Sequence, residues 1–300
     1  MTLWIPITLA AAFFQTLRFM LQRQLSLGTL SASGATLARF LYSAPLAAVG
    51  IAMYLTVTGQ ALPQLPLSFW AYGALGGLAQ ILATVAVVML FKARNFAVGV
   101  TFQKTAVMQA VLTGWLLLGD TVSFWGFAAI GLGLAGVLLL SVPPERARFG
   151  WRDLMNRAAG LGLGAWFLFS ISGVSYRGAS LSLGLDDPFA RAGLTLAAVT
   201  AMQTLAMVVW LRWRDPGQVR AVWGARRVAV WVGLLSMAGS FCWFTAFTLQ
   251  NAAYVNAVGQ IELVFSALAS VLVFRERVSG REWVGMAILM VSILALILVI

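Results

Sequence analysis

The sequence predicts an all-α integral membrane protein with ten transmembrane helices arranged as two inverted five-helix repeats. Hydrophobic residues make up 61% of the 300 residues and charged residues only 10%, a balance that a soluble domain of this length does not show. Ten apolar stretches of the length that crosses a bilayer follow one another with short connections. The second half of the chain also repeats a pattern found in the first half.

The ten stretches divide into two sets of five at the midpoint of the chain. They lie at residues 3–21, 34–57, 67–91, 96–118, 122–142, 158–177, 188–211, 228–249, 253–274 and 282–300. The longest connections, 143–157 and 212–227, are polar and rich in arginine. We therefore predict a first repeat at 1–142, a basic cytoplasmic linker at 143–157 and a second repeat at 158–300.

A shift of 156 residues aligns matching positions near the end of each half. Asn95 falls on Asn251, Val122 on Val278, Ser123 on Ser279 and acidic Asp120 on acidic Glu276. Five spans per half force the two copies to face opposite sides of the membrane. Inverted repeats of this kind place a binding site between the halves near the middle of the bilayer, which points to a transporter.

The charge pattern predicts the orientation of the chain. The odd-numbered connections carry fifteen Lys and Arg residues, whereas the other side, with both termini, carries only Arg177. Basic loops face the cytoplasm, so both termini are predicted on the periplasmic or extracellular side of a bacterial-type inner membrane. The net charge of +11 is then explained by contact with membrane lipids, and no nucleic-acid partner is implied.

The residue types also exclude several kinds of chemistry. Cys242 is the single cysteine and the chain has no histidine, which removes disulfides, Cys/His metal sites and histidine acid–base catalysis. No cofactor, no metal and no enzymatic activity are therefore expected. The sequence does not determine whether the protein is a monomer or a weak homo-oligomer.

Two ionisable residues lie deep inside predicted helices. Lys104 and Glu262 are about seven and eight residues inside their stretches, hence ~10–13 Å from their own membrane faces. Burying such a charge costs ~3 kcal/mol or more, so it usually has a function. Lys104 would bind a substrate carboxylate while Glu262 binds an amino group or carries a proton. A salt bridge between the repeats explains the same pair.

A helical wheel separates Glu262 from its neighbour Gln260. Residues two apart on a helix point ~200° apart, so a cavity-facing Gln260 would turn Glu262 towards a neighbouring helix. Asn256 and Gln260 are four residues apart and share a face. The substrate-binding candidates are completed by Gln80, Gln103 and Trp243.

Arginines and aromatic residues supply the remaining candidates. Arg39 and Arg191 occupy matching positions early in the second and seventh stretches, and each is expected to act as an anchor or a gate. Helix packing or an aromatic wall around a substrate explains the deeper aromatic side chains. These are Trp115, Trp166, Phe167, Phe241, Trp243 and Phe244.

The two copies resemble the ten-helix EamA family of the drug/metabolite transporter superfamily. The first copy reads Leu118-Gly119-Asp120-Thr121-Val122-Ser123, followed by Gly131, Gly133 and Gly136; the second reads Phe274-Arg275-Glu276-Arg277-Val278-Ser279, then Trp283 and Gly285. The family's helix prolines are replaced by Val107 and Leu263, and its glutamate position holds Glu262 in the second copy but Ala106 in the first.

The resemblance implies alternating access around a cavity lined by the third, fourth, eighth and ninth helices. It also implies export of amino acids or related small metabolites, as by exporters of the YddG type. A rival interpretation is export of lipophilic or quaternary cations, with Glu262 and the deep tryptophans as the site. A cavity-facing lysine would oppose that rival, because like charges repel.

Overall fold

The computed structural model describes residues 3–28, 30–92, 106–141, 157–265 and 280–299, and all regular elements in these ranges are helices. They are α1 (Trp4–Leu27), α2 (Ala32–Thr58), α3 (Leu67–Lys92), α4 (Ala106–Leu118), α5 (Phe124–Ser141), α6 (Arg157–Leu181), α7 (Pro188–Arg214), α8 (Pro216–Gly224), α9 (Arg226–Leu249), α10 (Ala252–Gly259) and α11 (Gly280–Val299). The predicted all-α class is confirmed. The number of ten spans and the inverted relation of the repeats stay predictions.

The outer surface of the helices is apolar, as a membrane-embedded protein requires. Within the described residues, α1, α2, α3, α7 and α9 are long and apolar enough to cross a membrane. Leu78, Leu205, Trp231 and Leu294 are 56–67% exposed. Such side chains meet lipid tails rather than water, which supports a multi-pass membrane protein.

Polar side chains begin three of the helices. Ser31, Asp187 and Asn251 precede α2, α7 and α10, and each accepts a hydrogen bond of 2.8–3.1 Å from a backbone N–H two or three residues further on. These bonds satisfy donors that the first helical turn leaves free. The chain therefore turns sharply between consecutive helices.

The helices pack in pairs that join the two halves of the chain. α3 packs along α6, α1 along α9, α2 along α7 and α5 along α11. The largest apolar core lies where α4, α6, α9 and α10 meet, and it includes Val107, Val174, Phe247, Tyr254 and Val258. Side chains from both halves therefore surround the interior.

Gly136 marks the closest approach between α5 and α11. A Cβ atom at this position would lie 2.8 Å from the backbone nitrogen of Leu289 and 2.9 Å from the carbonyl oxygen of Gly285. Nearby, the hydroxyl of Ser292 donates to the carbonyl oxygen of Ala129 at 2.7 Å. Small residues at such crossings let membrane helices pack closely.

Replacing Gly136 by alanine is expected to destabilise the protein by about 1–3 kcal/mol, because the contacting atoms belong to backbone that must move apart. Thermal unfolding of the detergent-solubilised protein, followed by tryptophan fluorescence, measures the effect. Gly131→Ala is the matched control, since a Cβ there meets no atom within 4 Å. Equal unfolding temperatures for the two variants would show that this crossing tolerates a side chain.

Within the described residues, the helix predicted at 253–274 is interrupted, because α10 ends at Gly259. Gln260 and Ile261 form a turn in which each backbone N–H donates to the carbonyl three residues earlier, at 3.2 and 3.1 Å. Helical geometry resumes over 262–265, the end of this described range. The turn changes the directions of the side chains that follow it.

The connection at 212–227 also differs from the expected loop. It contains the short helix α8, which packs against α2 and α7. Gln218 of α8 accepts a hydrogen bond from the backbone N–H of Ser31 at 2.9 Å. α8 therefore ties the α7–α9 connection to the start of α2.

Candidate functional site

A polar cavity lies in the interior, where helices from both halves meet. Its walls come from α1, α2, α3, α4, α6, α9, α10 and the turn after α10. The lining residues are Gln15, Arg39, Gln80, Ala106, Trp166, Phe169, Ser170, Ser172, Gly173, Tyr176, Ser240, Trp243, Phe247, Asn256, Gly259, Gln260 and Glu262. Both a carboxylate and a guanidinium therefore face the cavity.

Glu262 supplies the carboxylate, and its side chain is only 9% exposed. The amide of Gln15 on α1 donates to its Oε2 atom at 2.8 Å. The guanidinium of Arg18 also attracts Glu262 electrostatically while it donates to Gln22 at 2.7 Å. α1 therefore surrounds the carboxylate with one amide and one cation.

Arg39 supplies the guanidinium, and it is 5% exposed. Its Nη1 donates to the hydroxyl of Thr84 at 3.0 Å, and its Nη2 donates to the hydroxyl of Ser240 at 3.4 Å. The Thr84 hydroxyl in turn donates to the carbonyl oxygen of Gln80 at 2.7 Å. Neutral hydroxyls on α3 and α9 thus hold the cation from two sides.

A cluster of amides and one phenol joins α3, α6 and α7 beside Arg39. Tyr176 donates to the carbonyl oxygen of Gly76 and lies 3.0 Å from Oε1 of Gln80. The amide of Gln203 donates to the same Oε1 atom and to the carbonyl oxygen of Gly77, both at 3.0 Å. These bonds fix Gln80 and Tyr176 at the cavity wall.

Aromatic rings form the other walls. Trp166 and Phe169 lie 5.1 Å apart on α6, and Trp243 and Phe247 are stacked 5.6 Å apart on α9. The indole of Trp243 fills the space beside Gly259, where a Cβ would overlap ring atom Cη2. Flat apolar surfaces therefore face the polar groups across the cavity.

The predicted site residues separate into three groups. Gln80, Trp243, Asn256, Gln260 and Glu262 all line the cavity. Lys104 and Gln103 lie outside the described residues. Arg191 is at the start of α7, away from the cavity, where it donates to the carbonyl oxygen of Asp186 at 3.3 Å.

Arg39 and Arg191 therefore differ in environment despite their matching sequence positions, because only Arg39 faces the cavity. The deeper aromatic side chains also divide. Trp115 and Phe167 are 59% and 42% exposed, so they are not part of an internal wall. Phe244 stacks on Tyr176 at 4.2 Å behind the cavity surface.

Glu262 contacts the neighbouring helix α1 through Gln15, as the helical wheel predicts, and it also lines the cavity. Gln260 and Glu262 both line the cavity, although a regular helix would point them apart. The turn at Gln260 and Ile261 explains the difference, because it changes the rotation of the chain just before Glu262.

Sequence reasoning missed four polar residues at the cavity, since single polar residues are common in membrane helices. They are Gln15, Thr84, Tyr176 and Ser240. Gln15 alone gave a signal, as an amide inside an apolar stretch.

Arg177 forms a latch between the cavity and one end of the bundle. Its Nε pairs with Asp120 at 3.1 Å, and its Nη1 donates to the carbonyl oxygens of Phe247 and Gln250 at 2.9 and 3.0 Å. Asp120 belongs to the α4–α5 turn, and the two carbonyls end α9. We call Arg177, Asp120, Phe247 and Gln250 the Arg177 latch.

A second polar contact lies at the same end of the bundle, around Asp187 in the α6–α7 connection. Tyr54 and Gln60 donate to one carboxylate oxygen of Asp187 at 2.7 and 2.9 Å. Partial burial raises the pKa of Asp187, but these bonds and those from backbone N–H groups outweigh it, so the pKa lies below its usual value. The α2–α3 and α6–α7 connections are thus joined through a charged carboxylate.

Comparison with known proteins identifies relatives of the second half and of the fold. Residues 156–298 match the model of the EamA-like transporter family. One solved structure, described as a crystal structure of a protein, aligns with a TM-score of 0.68 at 17% identity and covers 99% of this chain and 98% of that chain. That likeness shows a shared fold. No curated protein matches the chain.

Proposed function

We propose that this chain, whose residues 156–298 match the EamA-like transporter family, exports amino acids or related small metabolites across a bacterial-type inner membrane. The family consists of membrane transporters of small molecules rather than enzymes, and that much holds for this chain. The amino-acid substrate and the outward direction are the proposal.

The observation that carries the proposal is Glu262, a buried carboxylate on the wall of a cavity lined by both halves of the chain. A carboxylate in this position binds the ammonium group of an amino acid by a charge-assisted hydrogen bond. The amides of Gln80, Asn256 and Gln260 offer neutral polar contacts, while Trp166 and Trp243 offer apolar surface. Together these groups suit a small molecule with a polar and an apolar part.

Alternating access would move two inverted repeats, 1–142 and 158–300, around this cavity. The packing of the helices supports this arrangement. If the two repeats are exchanged, α1 corresponds to α6 and α9 corresponds to α3, so the α1–α9 pair becomes the α3–α6 pair, and both pairs are present. The turn at Gln260 and Ile261, which interrupts the helix after α10, also supports alternating access. Interrupted helices border the binding sites of many transporters. Both termini then face the periplasm, as the loop charges predict.

Glu262 is also the residue through which a proton would drive transport. A buried carboxylate exchanges its proton when the surrounding charge changes, and substrate binding changes that charge. Facilitated transport without an ion is the other mode that the cavity allows. Neither mode requires a cofactor, and the transporter works as a monomer or as a weak homo-oligomer.

Export of lipophilic or quaternary cations is the second candidate. The stacked pair of Trp243 and Phe247 beside a carboxylate favours it, because aromatic faces attract cations. Arg39 opposes it, since a buried guanidinium on the same cavity repels a cationic substrate.

Counterflow in proteoliposomes separates the two candidates. We expect purified protein to exchange labelled amino acids from a panel of twenty, and to exchange tetraphenylphosphonium no faster than protein-free vesicles do. Lys104→Gln belongs in the same assay, because a loss of exchange would show that Lys104 takes part in transport. Exchange of tetraphenylphosphonium without any amino acid would replace the proposal by the second candidate.

A further inference from the structure

We infer that Arg39 binds the carboxylate of the substrate, so the protein binds zwitterions more tightly than simple amines. This inference rests on the proposed function and specifies how the same cavity recognises its substrate. It assigns the anion-binding role to a residue that the sequence pattern indicated as an anchor or a gate.

Arg39 is a cation deep in the bundle without an anionic neighbour in the described part of the chain. It lies near the start of α2 (Ala32–Thr58), and it is only 5% exposed. No carboxylate oxygen among the described residues lies within 4 Å of it, and its hydrogen-bond acceptors are the hydroxyls of Thr84 and Ser240. A neutral side chain could make the same hydrogen bonds to two hydroxyls, so these bonds do not explain why Arg39 is charged. Binding of an anionic group of a ligand does explain the charge.

The guanidinium retains donors for a ligand. Two of its five N–H groups serve the two hydroxyls, and the bond to Ser240 is long at 3.4 Å. Thr84 is fixed because its own proton is donated to Gln80, so it holds the guanidinium in a defined orientation on the cavity wall. A planar fork held in this way matches the two oxygens of a carboxylate.

The balance of charge around the cavity points the same way. In the described interior, Arg18 and Arg39 repel each other, and Glu262 is the carboxylate that attracts Arg18. Two guanidiniums against one carboxylate leave an excess of positive charge. A zwitterion brings a carboxylate to Arg39 without adding net charge, whereas a simple amine adds a further positive charge to this excess.

The test compares phenylalanine with two molecules that each lack one of its charged groups. Counterflow of labelled phenylalanine is measured with unlabelled phenylalanine, phenethylamine or 3-phenylpropionate as competitor. We expect phenethylamine to compete at least about ten-fold more weakly than phenylalanine in the wild type, the loss of one charge-assisted contact. Arg39→Gln should weaken phenylalanine by about the same factor and should not weaken phenethylamine, which loses only a repulsion. Arg191→Gln, the same change at the matching position outside the cavity, should keep the wild-type preference.

Three results would overturn the inference. They are a wild type that prefers phenethylamine, an Arg39→Gln variant that keeps the full preference, and a variant that weakens both competitors equally. If Arg39→Gln does not fold, Arg39→Lys replaces it, because it keeps the charge but not the fork. The expected result is then a reduced preference for phenylalanine, and an undiminished preference contradicts the inference.

Failure of the proposed function gives a different result. If folded protein exchanges no amino acid, the proposed function is wrong, and Arg39 is tested by thermal stabilisation with 3-phenylpropionate. Stabilisation of the wild type but not of Arg39→Gln would retain Arg39 as the anion site for another substrate class. No stabilisation of either protein would reject Arg39 as well.

Discussion

Replacing Glu262 by glutamine is expected to reduce the exchange of amino acids by about ten-fold or more, the effect of losing one charge-assisted hydrogen bond. Glutamine keeps the size of the side chain and its contact with Gln15, but it removes the charge that faces the substrate amine. Counterflow of the amino acid that the wild type exchanges best measures the effect. The fold should persist, since glutamine keeps the shape of the side chain and Arg18 keeps its hydrogen bond to Gln22.

Asp186→Asn is the matched control for this variant. It makes the same change from acid to amide at an exposed carboxylate of the α6–α7 connection. Wild-type exchange is expected for Asp186→Asn. If Glu262→Gln keeps full exchange but loses uptake driven by a pH gradient, Glu262 carries a proton and does not bind the amine. If it keeps both activities, neither role holds.

Replacing Arg177 by glutamine is expected to open one end of the cavity. The guanidinium is the group that joins the α4–α5 turn to the last carbonyls of α9, and glutamine cannot make all three of these contacts. Breaking a partly buried network of this size shifts a two-state equilibrium by about ten-fold. The variant should therefore spend more time open at the end where Arg177 lies.

Thiol labelling measures this opening directly. In a Cys242→Ala background, Ser170→Cys places a single thiol on the cavity wall. We expect a membrane-impermeant thiol reagent to modify it several-fold faster after Arg177→Gln or Asp120→Asn, since each breaks the ion pair. Arg191→Gln should leave the rate unchanged. Unaltered labelling in both latch variants would show that the latch does not control access.

The sequence was sufficient to predict the helical membrane class and several residues of the cavity wall. Apolar stretches and isolated amides reflect the cost of polar groups in lipid, and this cost acts on each residue separately. Gln80, Asn256 and Gln260 could therefore be found without knowledge of tertiary structure. Lys104 was found by the same argument, and its predicted role stays a prediction.

The remaining features depend on contacts between distant segments. The side of α2 on which Arg39 lies meets α3 and α9, and no periodicity within α2 identifies those partners. Arg177 was counted only as the single basic residue on its side of the membrane, because its three acceptors come from other helices. The helical wheel separated Glu262 from Gln260 because helix periodicity assumes a continuous helix, whereas α10 ends at Gly259.

The contact between Trp243 and Gly259 also sets a limit on cargo size. The indole occupies the volume that the first carbon of any side chain at position 259 would need. Alanine there would force the indole to move and would change the part of the cavity wall that Trp243 forms. The absence of a side chain at Gly259 thus affects the size of the molecule that fits. A related protein with alanine at this position would accept a different range of cargo, although every polar contact stays in place.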